Sequence, residues 1–99
     1  MIAVLEQLID KYHHLGIVKA GELLLRPADA ISLADELEQM GMLILGVDLW
    51  YYIGQEIAED PGSLDISQGT DVKNNAAIAR DFIANKFPSR IAFVSLVWE

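Results

Sequence analysis

The longest apolar run in the chain extends from Met42 to Ile53 and is interrupted by Gly46 and Asp48. Side chains alternate between the two faces of a β-strand, so alternate residues of this run would lie on opposite faces. One set is entirely apolar and the other is mixed: Leu43, Leu45, Val47, Leu49, Tyr51 and Ile53, against Met42, Ile44, Gly46, Asp48, Trp50 and Tyr52. This pattern predicts a central strand with helices on its apolar face and a mixed face that is partly covered or exposed. The run is too short to cross a bilayer.

Three segments carry apolar residues at helical spacing, which predicts helices. They cover residues 2–15, 27–40 and 71–87. Pro27 is favourable at the first position of a helix, whereas Pro88 cannot continue one. The predicted core-facing residues are Ile2, Leu5, Leu8, Ile9, Tyr12 and Leu15; Ala30, Leu33, Ala34, Leu37 and Met40; and Ile78, Ala79, Phe82, Ile83 and Phe87.

The remaining segments are predicted to be short strands and a loop. Residues 22–25 and 90–98 have strand composition, and a turn at Gly54-Gln55 predicts a short return strand at residues 56–58. The segment 60–70 carries Pro61-Gly62 and Gly69 and is predicted to be a loop.

These elements predict an α+β fold in a single domain, residues 1–99. We expect a two-layer domain with about three helices packed on a small mixed sheet of three to four strands. If the strands at 42–53 and 90–98 are adjacent, the helix between them predicts parallel pairing through a right-handed crossover.

The distribution of charge bears on the kind of partner. The net charge is −8, and no basic residue occurs between Arg26 and Lys73. That span contains ten carboxylates: Asp29, Asp35, Glu36, Glu38, Asp48, Glu56, Glu59, Asp60, Asp65 and Asp71. We expect a pronounced negative face, which favours a cationic partner and disfavours nucleic acid and anionic membranes. Solubility alone would explain the same charge equally well.

Patterns typical of catalysis or cofactor binding do not occur in the sequence. His13 and His14 are adjacent and would point about 100° apart on a helix, so they cannot converge on one metal ion. The serines lie in no nucleophile elbow, and the glycines form no phosphate-binding loop. The chain has no cysteine and no secretion signal at its N-terminus, which favours the cytoplasm. We therefore expect no catalytic residue, metal or cofactor.

Asp48 is the polar residue whose role is most open. A carboxylate in an apolar strand is either a solvent-facing structural residue or a group with a raised pKa in a functional site. Aromatic and acidic residues on the same half-exposed strand face are typical of binding interfaces. The candidate partner-binding residues are Asp48, Trp50, Tyr52, Glu56, Glu59, Asp60 and Asp65.

One family resemblance points to a specific class of partner. The helix at residues 28–40 is followed by Ile44-Leu45-Gly46-Val47-Asp48-Leu49-Trp50-Tyr51-Tyr52. This segment resembles the bacterial immunity protein 40 family, whose strand carries a Leu-Gly-Gly-Asp stretch before aromatic residues. The segments 79–83 and 93–97 look like the terminal helix and strand of that family, and the likeness covers roughly residues 22–97. The resemblance implies an immunity protein that neutralises a cognate toxin domain.

Two other classes of function remain open. A small enzyme or ligand-binding domain would have a deep polar pocket around Asp48, whereas a binder would have a flat or convex acidic surface. A homo-oligomeric structural domain would pair through the strand at 90–98 if that strand lies at the sheet edge. The protein is accordingly expected to be a monomer or a homodimer.

Overall fold

The chain forms three helices and five strands within the residues that the structure describes. The computed structural model describes residues 2–19, 21–85 and 90–99, with side chains from Glu6 onward. The elements are α1 (Ile2–His13), β1 (Ile17–Lys19), β2 (Glu22–Leu24), α2 (Pro27–Gln39), β3 (Ile44–Ile53), β4 (Glu56–Asp65), α3 (Val72–Asn85) and β5 (Phe93–Trp98). The side chains of Ile2 and Leu5, and the predicted helix end at Phe87 and Pro88, lie outside the described residues.

The strands form two antiparallel sheets. The larger sheet has the order β4-β3-β5, and the smaller one is the hairpin β1-β2. Leu25 joins the two sheets, because it exchanges backbone hydrogen bonds of 2.8 and 2.7 Å with Val94. The predicted α+β class, with three helices and a small sheet, is confirmed.

The predicted parallel pairing of the central and final strands is wrong. β3 and β5 are adjacent but antiparallel, so the described sheet is antiparallel rather than mixed. The cause is β4, which returns the chain along β3 before α3 begins. The crossover helix therefore connects β4 to β5. These two strands run in the same direction, with β3 between them.

The segment predicted to be a loop at 60–70 is strand for its first half. β4 continues to Asp65, far beyond the short return strand expected at 56–58. Pro61 and Gly62 fall in a bulge, where residues 61–63 lie opposite Asp48 alone. β4 is at the edge of the sheet, where a proline removes no ladder hydrogen bond and a bulge is tolerated.

The core lies between one face of the large sheet and the helices α2 and α3. Val47 and Leu49 project into it, as predicted for the apolar set of β3. A register shift between Ile44 and Gly46 turns Ile44 into the core as well. Ile53 is 57% exposed, because the end of the β3–β4 hairpin is not covered by the helices.

The second helix matches its prediction most closely. α2 begins at Pro27 and buries Ala30, Leu33, Ala34 and Leu37. The other two helices match in part. Leu8, Tyr12, Ala79 and Ile83 are buried as predicted, but the predictions for Leu15 and Ile78 are wrong because both are exposed. None of the helices in the described ranges has the length and apolar character to cross a membrane.

Candidate partner-binding site

The strand register decides which of the predicted binding residues share a face. Residues paired across antiparallel strands project from the same side of a sheet. On the side away from the helices, the pairs are Trp50 with Glu59 and Phe93, Tyr52 with Ile57, Asp48 with Ser95, and Gly46 with Asp65. We call this side, which carries Asp48, Trp50, Tyr52, Glu59 and Asp65, the acidic face. Glu56 and Asp60 pair with Ile53 and Leu49 and belong to the helix-facing side.

A polar network at the centre of the acidic face connects β2, β3 and β5. Trp50 Nε1 donates a hydrogen bond of 3.0 Å to Ser95 Oγ. Ser95 Oγ in turn donates a hydrogen bond of 3.1 Å to Glu22 Oε1. Asp48 is hydrogen-bonded to Glu22 and lies within electrostatic range of Glu59. Glu22, Asp48 and Glu59 thus form a group that we call the strand carboxylates.

Crowding of the strand carboxylates changes the ionisation of Asp48. Partial burial, the hydrogen bond with Glu22 and the negative charges of Glu59 and Glu22 raise the pKa of Asp48 to about 6. A hydrogen bond between two carboxyl groups requires a proton on one of them, and this proton is lost as the pH rises above that pKa. Among the described residues, no lysine or arginine forms an ion pair with any strand carboxylate. Lys19 lies opposite Glu22 in the β1–β2 pairing without forming an ion pair with it, so the repulsion among the strand carboxylates at neutral pH is only weakly offset.

The surface around Asp48 is a shallow groove. The bulge in β4 opens a space of about 340 Å³ beside Asp48. Gly46, Ser63, Asp65 and Ser67 supply much of its polar and small-residue lining. The groove is open to solvent along its length, unlike the deep polar pocket expected for an enzyme.

The two aromatic residues predicted at the site differ in accessibility. Trp50 is only 4% exposed, and its indole N–H is used within the network. Tyr52 is 53% exposed and packs edge-on against Phe93, with ring centroids 5.8 Å apart. Tyr52 is therefore available to a partner, whereas Trp50 supports the surface from below.

The acidic residues predicted along β4 have three different environments. Asp60 is 3% exposed, and its carboxylate accepts hydrogen bonds from the Gly62 backbone N–H at 2.8 Å and from Arg90 at 2.5 Å. These two contacts, the Gly62 bond first, lower the pKa of Asp60. Asp65 accepts hydrogen bonds from the hydroxyl and backbone N–H of Ser67, which lower its pKa. Glu56 is exposed beside the turn.

The carboxylates of α2 are neutralised by contacts with the other helices. Lys11 of α1 lies 3.2 Å from Glu36. Arg80 of α3 lies 3.1 Å from Asp35 and 2.6 Å from Glu38. We call these three residues of α2 the helix carboxylates. With Asp60, they make four members of the ten-carboxylate span that pair with described cations, and these cations, Lys11, Arg80 and Arg90, all come from outside the span.

Sequence patterns did not indicate the roles of Glu22 and Ser95. Glu22 begins a strand of three residues, and Ser95 interrupts an apolar strand as a single polar residue. A polar residue at a buried position is the only signal that singles out Ser95, which is 1% exposed. The contact with Glu22 depends on the tertiary pairing of Leu25 with Val94, which no local pattern encodes.

The described residues contain no group of three histidine, aspartate or glutamate side chains placed to hold a metal ion. His13 and His14 are both exposed at the end of α1. Comparisons with protein-family models, curated proteins and solved structures found no match to this chain.

Proposed function

We propose that this protein is an immunity protein that binds a cationic toxin domain through the acidic face of β3 and β4. The observation that carries the proposal is the group of strand carboxylates, none of which forms an ion pair with a lysine or arginine among the described residues. The resemblance to the immunity protein 40 family supports the same class of function. The proposal places the protein in the bacterial cytoplasm, where it protects its producer.

The electrostatics of the site favour a cationic partner. Like charges that repel one another in the free protein are relieved when an arginine or lysine approaches them. Complementary charge also raises the association rate, which is valuable to an inhibitor that must capture a toxin quickly. A toxin that attacks nucleic acid has a basic cleft for phosphates, and an acidic surface can occupy that cleft.

The shape of the site favours a protein over a small molecule. Small-ligand pockets bury most of their ligand, and the groove at Asp48 is too open to do so. The end of the β3–β4 hairpin exposes Tyr52 on one face and Ile53 on the other. On the acidic face, an exposed aromatic residue with carboxylates around it has the composition of a binding hot spot with a polar rim. Both features support binding rather than catalysis.

The proposal is tested by titrating the protein with the toxin-like domain encoded beside its gene, at low and high salt. We expect nanomolar binding that weakens as salt screens the charges. The double variant Glu59→Lys/Asp65→Lys, at two exposed residues of the acidic face, should bind at least about 10-fold more weakly, because it places cations against the cationic partner. Asp60 is not a suitable target, since its buried carboxylate holds Arg90.

The matched control is Glu6→Lys/Asp10→Lys, which changes the net charge equally but alters exposed residues of α1. Its affinity should stay close to that of the original protein, apart from a small general effect of net charge. Equal losses in the two double variants would contradict a specific acidic face. Absence of binding at low salt would exclude this toxin domain as the partner.

A further inference from the structure

The backbone at the outer edge of β4 is positioned to accept another strand. A two-residue turn at Gly54-Gln55, with Gly54 at φ 63°, joins β3 to β4 and makes Ile53 and Glu56 the first pair. In such a hairpin the first pair is hydrogen-bonded, and bonded pairs then alternate with non-bonded ones. The N–H and C=O groups of residues 56, 58 and 60 therefore point towards β3, and those of Ile57 and Glu59 point away.

The direction of the Trp50 backbone carbonyl agrees with this alternation of bonded and non-bonded pairs. Trp50 is the residue opposite Glu59, and its carbonyl accepts a hydrogen bond from the Ala92 N–H on the β5 side. Its backbone is thus directed away from β4. Within the described ranges, no backbone hydrogen bond joins Ile57 or Glu59 to a further element, and β4 ends the sheet order. The outward groups of these two residues are therefore open.

The bulge limits the open edge to a short, regular stretch. Pairing with β3 is regular from Glu56 to Asp60, and the register shift follows immediately. Pro61 has no N–H to offer, so an added strand cannot continue along it. Five residues of β-strand span about 17 Å. The other end of the sheet is less open, because β5 is already joined to Leu25 at Val94.

The charge of this stretch selects among the strands that could pair with it. Glu56 and Glu59 are exposed, and acidic edge residues discourage pairing with a second copy of the same edge. A cationic strand would instead be attracted to this edge. A lysine or arginine opposite Glu59 would project from the acidic face, where Asp48 lies on the next strand.

We propose that the partner binds by adding an extended, cationic segment to the outer edge of β4 along residues 56–60. This inference rests on the proposed function and specifies the mode of binding. The backbone groups of Ile57 and Glu59 supply main-chain hydrogen bonds, and the strand carboxylates select cationic side chains on alternate positions of the segment. The bulge at residues 61–63 ends the contact.

The test uses an acetylated and amidated peptide of seven alternating lysines and valines as the probe. Hydrogen exchange of the labelled protein is measured with and without the peptide. The N–H groups of Ile57 and Glu59 should exchange at least about 10-fold more slowly in the complex, since they become hydrogen-bonded. The N–H of Ala58 is the internal control, because it already faces β3 and its protection should change little.

Two N-methylated peptides separate strand addition from attraction between charges. Both keep every charge, but one is methylated on its lysine N–H groups and the other on its valine N–H groups. Antiparallel addition with lysine opposite Glu59 directs the lysine N–H groups to β4, so lysine methylation should weaken binding at least about 10-fold. A selective loss from valine methylation would also support strand addition, in the parallel orientation.

Equal affinities for all three peptides, or unchanged exchange at Ile57 and Glu59 in the complex, would overturn this inference. Equal weakening by the two methylations would overturn it as well. These failures would leave the proposed function standing if the toxin domain still binds in a salt-dependent manner. Conversely, if the toxin domain does not bind but the peptide binds selectively, the toxin is rejected as the partner and strand addition at the outer edge of β4 is retained.

Discussion

The helix carboxylates and the strand carboxylates contain the same number of acidic groups but have opposite relations to the fold. Asp35, Glu36 and Glu38 lie within ion-pair distance of Lys11 or Arg80. They connect α2 to the helices on either side of it. Among the strand carboxylates, Asp48 is hydrogen-bonded to Glu22 and lies within electrostatic range of Glu59, and the pKa of Asp48 is raised where that of Glu36 is lowered. Acidic residues in a chain of net charge −8 are therefore not interchangeable.

Some of the charge in this molecule stabilises the fold, whereas other charge is available to a partner. A carboxylate beside a cation is stabilised in its ionised form, and the folded state gains free energy from it. A carboxylate beside other carboxylates is stabilised in its protonated form, so the folded state loses free energy when it ionises. Neutralising one member of each group should consequently change stability in opposite directions.

The largest effect is expected at Tyr12, whose hydroxyl donates a hydrogen bond to Glu36. Burial and this bond raise the pKa of Tyr12 well above its ordinary value, and the bond is the main cause of the lowered pKa of Glu36. Tyr12→Phe should reduce the free energy of unfolding by about 2 kcal/mol, the scale of a hydrogen bond to a charged group. Urea unfolding at pH 7 measures the change.

Tyr52→Phe is the matched control for this prediction. It removes the same hydroxyl from an exposed strand residue, and its free energy of unfolding should be nearly unchanged. If Tyr12→Phe and Tyr52→Phe reduced the free energy of unfolding by similar amounts, the proposed difference between the helix carboxylates and the strand carboxylates would be contradicted.

An intermediate effect is expected at Arg80, which contacts Asp35 and Glu38. Arg80→Met keeps much of the aliphatic volume but removes both ion pairs between α2 and α3. We expect a loss of about 1 kcal/mol, because the pairs are only partly shielded from solvent. Thermal unfolding compared with Lys73→Met, which removes an exposed cation of α3, tests whether the contacts or the charge are responsible. An equal shift in melting temperature would argue for charge alone.

The smallest effect, with the opposite sign, is expected for Asp48→Asn. The pKa of Asp48 is about 6 in the folded protein against an ordinary 3.8, so its stabilising contribution is complete below 3.8 and is lost as the pH rises through 6. Asparagine cannot ionise, and its amide can still donate to Glu22. At pH 7 the variant should be more stable by about 0.5 kcal/mol after allowance for solvent screening.

A pH series of urea unfolding sharpens this result. The gain from Asp48→Asn should appear between pH 4 and 7 and vanish below pH 4, where both side chains are neutral. A variant that is less stable than the original protein at pH 7 would show that Asp48 stabilises the fold, as the helix carboxylates do.

Local patterns predicted the elements of this fold better than their pairing. Pro27 and the spacing of Ala30, Leu33 and Leu37 determine α2 without help from distant residues, and the structure agrees. The direction of β5 was mispredicted, because it depends on how far β4 returns along β3. Pro61 and Gly62 are ordinary loop signals, and only the edge position of β4 lets them occupy a strand.

In the site too, local sequence identified some residues, whereas the environments of others depend on residues far away in the chain. Asp48 was recognisable as the interruption of an apolar strand. The structure exposes Tyr52, and its role in binding stays a prediction. The burial of Trp50 was not predictable from alternation, because Ser95 lies opposite Asp48 and beside the indole only after β3 and β5 pair. Nor could Asp60 be distinguished from Glu59 without Arg90, which lies 30 residues further along the chain.

The number of residues in the turn at Gly54-Gln55 determines which acidic side chains of β4 project from each face of the sheet. Its two residues set every pairing from Ile53 with Glu56 to Leu49 with Asp60. A single inserted residue that propagated along β4 would exchange odd and even positions, sending the Glu59 side chain towards the helices and that of Asp60 away from Arg90. An insertion of two residues would keep each side chain on its present face. The length of one short turn, counted as odd or even, thus decides whether these charges meet a partner or the core.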